Sequence, residues 1–91
     1  MDIKVIKTED NINFINPVTT NLSDLIQCNE ICGQYILCEY LDVIEGTVVV
    51  YAYSRSLKRL DAYIQKSNTG QKYYTAKIPN NESIDSLEGV C

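Results

Sequence analysis

Ninety-one residues, 45% of them apolar and 22% charged, fit one small folded domain. A chain this short builds a single modest core, without room for a deep, water-excluding enzyme cleft beside it. The net charge is −4 and histidine is absent, which removes the commonest general base, the usual serine and cysteine triads and most zinc sites.

The opening residues, MDIKVIKTEDN, contain no apolar signal core, and no stretch approaches the roughly 18 consecutive apolar residues of a membrane span. The expected location is therefore cytoplasmic. DIKVIK and INFINPV are two short apolar runs separated by the polar TEDN, which predicts a hairpin. Pro17 is expected to end its second strand or mark it as an edge. NLSDLIQCNEICG follows as a helix over about 21–32. Asn21 and Asp24 suit a capping-box pattern, Leu22, Leu25, Ile26 and Cys32 give the apolar stripe, and Gly33 is placed as the left-handed stop.

QYILCEYLDVIEGTVVVYAYS reads as two long strands. With Glu45 and Gly46 as the loop, Val43 would face Val48, Leu41 would face Val50 and Tyr40 would face Tyr51. One face then carries Leu37, Leu41, Val43, Val48, Val50 and Ala52. The other carries Ile36, Cys38, Tyr40, Ile44, Val49, Tyr51 and Tyr53. Glu39 falls on the first face and, if that face is buried, needs a partner such as a nearby cation.

SLKRLDAYIQKSNTG predicts a second helix, with Ser56 as cap and Leu57, Leu60 and Ile64 as the buried stripe. Tyr63 lies on its flank, Arg59, Ala62 and Lys66 on the opposite ridge, and Asn68 to Gly70 at its end. QKYYTAKIP is a last strand stopped by Pro79. Residues 80–91 read as a polar, acidic tail with at most one helical turn about Ile84 and Leu87.

The fold class is thus α+β: one domain over 1–79, in the order β-β-α-β-β-α-β. Its sheet is mainly antiparallel, and the two helices pack on one face. Two short helices cover only one face of five strands, which leaves an apolar face as a partner or homodimer surface. Ile36, Tyr40, Val49, Tyr51 and Tyr53 are its candidate residues. The competing arrangement places the helices on opposite sides of the sheet, or lays the tail over the open face.

Charge is unevenly spread. Residues 1–50 hold two basic residues against eight acidic ones, residues 51–80 hold six basic residues against Asp61 alone, and the last eleven add Glu82, Asp85 and Glu88. The basic segment VVVYAYSRSLKRL interleaves tyrosine with cations. Tyr51, Tyr53, Arg55, Lys58, Arg59 and Lys66 are therefore candidate ligand-binding residues for a nucleotide or single-stranded nucleic acid. The acidic remainder argues against nucleic acid. Ordinary strand tyrosines beside a solvated helix ridge would give the same pattern.

Cys28, Cys32 and Cys38 form a C-x3-C-x5-C run that matches neither the usual zinc spacings nor the C-x-x-C of thiol oxidoreductases, and Cys91 closes the chain. Reduced thiols, with no metal and no cofactor, are the expectation. No glycine-rich phosphate loop occurs. The leading expectation is a small acidic, non-enzymatic protein acting by protein–protein contact. Antitoxins, immunity proteins and virus-encoded blockers share this build, which makes an inhibitor of a basic or nucleic-acid-handling target the class to test.

Overall fold

The computed structural model describes residues 3–67 and 72–80. Of the expected tail over 80–91, all but Asn80 lies outside these described residues, as do its turn at Ile84 and Leu87, Cys91, and the helix end at Asn68 to Gly70. Strands β1 (Val5–Glu9) and β2 (Ile12–Asn21) form the first hairpin. Asp10 and Asn11 turn it with φ of 53° and 63°, left-handed values that short polar side chains tolerate and that match the twist of a tight hairpin. Helix α1 (Leu22–Leu25), strands β3 (Tyr35–Asp42) and β4 (Thr47–Ser54), helix α2 (Leu57–Lys66) and strand β5 (Tyr74–Lys77) follow. All pairings are antiparallel, in the sheet order β1-β2-β4-β3-β5. The α+β class and the element order are those expected. Among the described residues no helix is long and apolar enough to cross a membrane.

The helices do not share a face. Ile36, Cys38, Val48, Val50 and Tyr53 are buried with Leu25, Cys28 and Ile31 of α1 and the turns after it. On the other side Ile12, Leu37 and Ala52 are buried with Leu60 of α2. The central strands β3 and β4 are therefore covered on both sides, which explains why both of their faces are apolar. Of the predicted α2 stripe, Leu60 is fully buried and Ile64 partly so, but Leu57, the first helical residue, stays 37% exposed. Ser56 caps the helix as expected, accepting from the Arg59 backbone N–H at 3.4 Å.

The first helix is far shorter than the predicted 21–32. After Leu25 the chain runs through successive tight turns: Cys28 N–H donates to Leu25 C=O, Ile31 N–H to Cys28 C=O and Gln34 N–H to Ile31 C=O. Bonds that reach back three residues set an apolar period of three, and Leu25, Cys28 and Ile31 are the buried positions. Asn21 makes no capping bond and instead accepts from the Thr47 hydroxyl at 3.0 Å. Gly33 does adopt positive φ (79°), but it ends the string of turns rather than a helix. Its N–H donates to Ile78 C=O.

The β3–β4 register also differs from the predicted one. Asp42 accepts the backbone N–H groups of Ile44 and Glu45 at 3.0 and 3.1 Å, so the reversal starts two residues earlier and the turn spans 43–46. Tyr40 consequently pairs with Val48 and Asp42 with Thr47, with a shift of register at Leu41. Val43 has no strand partner. A second irregularity sets Leu37 opposite Ala52 but Cys38 opposite Val50, leaving Tyr51 as an extra residue. This bulge turns Tyr51 toward α2, while Tyr53 points to the α1 side. Pro17 neither ends β2 nor lies on an edge strand. It sits in the irregular stretch between the Phe14↔Ala52 and Val18↔Val50 pairs, where a missing N–H is tolerated.

Candidate functional site

The predicted partner face is not assembled. Ile36 is fully buried and Tyr53 is 8% exposed beneath α1 and its turns, with Tyr40 packed against the same cluster. Tyr51 faces α2, and Val49, paired with Glu39, is only partly exposed. The covering of this side by Leu25, Cys28 and Ile31 removes the open tyrosine face on which that grouping rested.

The predicted ligand patch is also divided. Tyr51 and Tyr53 lie on opposite faces of the sheet. The Tyr51 hydroxyl donates to Glu39 Oε1 at 3.0 Å, which supplies Glu39 with its partner, a phenol rather than the expected cation. Burial first, and then this carboxylate, raise the Tyr51 pKa. Arg55 borders a separate concavity with Thr8, Asn13, Gln34 and Ser54. Lys58 is exposed on α2 and lines neither the Arg55 concavity nor the groove that holds Arg59 and Lys66. Arg59 and Lys66 do come together. With Ala62 they form one wall of a groove of about 220 Å³ whose opposite wall is the β1–β2 hairpin. Their ridge therefore remains solvent-exposed but borders a strand pair.

The hairpin wall contributes residues that sequence reasoning did not select. Lys7 Nζ lies 2.8 Å from Glu9 Oε2 and 5.3 Å from the Phe14 ring centre. The pair raises the Lys7 pKa and lowers that of Glu9, through their hydrogen bond first and their opposite charges second. Phe14 meets Tyr63 of α2 at 5.1 Å with a 59° tilt. The aromatic run continues through Tyr73 to Tyr51, at 6.5 and 5.4 Å between successive ring centres. The helical spacing of Arg59 and Lys66 was visible in the chain, but the facing Lys7 and Phe14 follow only from the sheet.

The tip of the β3–β4 hairpin is the second unpredicted surface. Leu41, Val43 and Ile44 are 57, 76 and 95% exposed. Their turn is held by Asp42, and the adjoining Gly46, at φ 73°, accepts the Leu22 N–H through its carbonyl at 2.9 Å. Leu22, partly buried against the core, lies beside Gly46 at the base of the tip. Asp42 and Glu45 supply negative charge beside it. The signal was present in LDVIEG: an aspartate two and three residues before free N–H groups starts a turn, and placing the loop there strands the apolar residues outside the ladder.

Three cysteines among the described residues are free: Cys28 and Cys38 are buried and Cys32 is partly exposed. Burial pushes the Cys38 thiol up to about 11, and burial also raises Cys28, whose Sγ donates to Glu30 Oε2 at 3.3 Å. Among the described residues no group of three or more Cys, Asp or Glu is placed to hold a metal ion. Comparison with protein-family models, with curated proteins and with solved structures finds no match.

Proposed function

We infer that the protein is a non-enzymatic binding module that engages a protein partner through the tip of its β3–β4 hairpin. The observation that carries this reading is the near-complete exposure of Val43 and Ile44 on a turn fixed by Asp42. Apolar side chains held out in water by a built turn are suited to enter a pocket on another surface. Pre-ordering of the turn lowers the entropy lost on docking. Asp42 and Glu45 at the tip, together with the acidic first half of the chain, favour a basic target by steering the encounter. Occupying such a target, a nucleic-acid-handling protein for example, would inhibit it without chemistry.

The test is comparative capture from a lysate of the cells that express the protein. Wild type is set beside Val43→Ser with Ile44→Ser, at low and at high salt. The reading expects a defined partner retained by wild type, lost at least tenfold in the double variant and weakened by salt. Both side chains are exposed, so the variant keeps its fold, as circular dichroism would verify. Equal capture by the two proteins would overturn the hairpin as the contact.

A further inference from the structure

We propose that the groove between α2 and the β1–β2 hairpin binds a small single-ring aromatic carboxylate, independently of the hairpin-tip contact. Three features converge there. The first is unequal charge. Arg59 and Lys66 of α2 face Lys7, Glu9 and Asp10 of the hairpin across the groove, and Glu9 is held by Lys7 at 2.8 Å. Arg59 and Lys66 form no ion pair among the described residues, Lys66 sensing Glu9 only at longer range, so three cations line the groove against two carboxylates. The lining therefore keeps one positive charge in excess, which matches a monoanion. The Arg59 guanidinium offers the planar fork that fits a carboxylate.

The second feature is the apolar lining. Ile12 is buried at 3% exposure, and Phe14 and Tyr63 meet at a 59° tilt, so their rings are not stacked flat on one another. An aromatic guest gains by edge-to-face packing against such rings. The third is size. About 220 Å³ lies below the roughly 300 Å³ at which drug-sized ligand sites begin, so the groove takes one ring with one small charged group. A whole nucleotide is too large for it, which separates this site from the stacking platform that the tyrosine–arginine pattern suggested.

The experiment is a two-dimensional amide NMR titration of the full chain with sodium benzoate, run beside acetate and benzyl alcohol. Benzoate should shift resonances of Lys7, Phe14, Arg59, Tyr63 and Lys66 with saturation. Acetate, which lacks the ring, and benzyl alcohol, which lacks the charge, should each bind at least tenfold more weakly. Arg59→Gln with Lys66→Gln should weaken benzoate at least tenfold, while Lys58→Gln should leave it unchanged. All three residues are exposed, so the spectra themselves report an intact fold. Shifts scattered away from the groove, equal response to acetate or to benzyl alcohol, or benzoate binding untouched by the double variant would each overturn the proposal.

Discussion

Ser54, 1% exposed at the end of β4, ties three parts of the chain together. Its hydroxyl donates to the Asn11 carbonyl at 2.7 Å and accepts the Ser56 N–H at 3.0 Å, linking the β1–β2 turn, the sheet and the approach to α2. Ser54→Ala leaves a carbonyl and an N–H without this partner, and is expected to cost about 1–3 kcal/mol in urea denaturation. A cost below a few tenths would show that water replaces the hydroxyl. Nothing in the sequence distinguished this serine, because its two partners arrive from a distant turn and from the next element. Glu39 shows the opposite case: its need for a partner was legible from an apolar strand, and only the partner's identity awaited the bulge that brings Tyr51 beside it.

Elements were legible where a local pattern dictated them. Alternating apolar residues fixed the existence of the strands, a polar turn fixed the first hairpin, and Ser56 with a 3.6-residue stripe fixed α2. Reading failed where a side-chain bond, a bulge or a string of tight turns redirected the backbone. Asp42 moved the second hairpin's turn, an extra residue at Tyr51 turned the β4 side chains over, and tight turns replaced most of α1. The candidate site suffered most, since each such shift changes the face on which every later side chain lands. Within α2 the observed packing separates two leucines that a stripe alone treats alike. Leu60→Ala, at a fully buried position, is expected to cost about 2–5 kcal/mol. Leu57→Ala, at a position 37% exposed, should cost under about 1 kcal/mol. Thermal unfolding of the two variants measures the contrast, and equal losses would contradict the orientation of the helix.

At the scale of the whole molecule, the ionisable groups of the core set an alkaline limit. Burial, the leading cause in each case, raises Tyr40, Tyr51, Tyr53 and Tyr73, and it raises the Cys28 and Cys38 thiols as well. These groups hold their protons more tightly folded than unfolded. The stability they contribute is complete below their unfolded values and is lost as pH climbs through the folded ones. Thiols begin at an ordinary 9.0, tyrosines at 10.0, and Cys38 reaches about 11, so the melting temperature should fall progressively from about pH 9 upward. A melting temperature unchanged at pH 11 would refute this. The exposed Lys7–Glu9 pair adds little to the balance and is screened by salt.

The strand order also bears on how the molecule assembles. β3 and β4 are neighbours in the chain and in the sheet, so their hairpin closes over a four-residue turn. β2 pairs not with the strand that follows it but with β4, and Asn21 meets Thr47 across 26 residues. The entropy of closing that longer loop favours a sequence in which the β3–β4 hairpin forms before the β2–β4 pairing and offers β4 as the template for β2. Until then the β1–β2 hairpin has no sheet to join. The β3–β4 turn, fixed by one aspartate, thus serves a local hairpin that closes before the longer β2–β4 pairing, and it carries the exposed apolar residues of the finished surface.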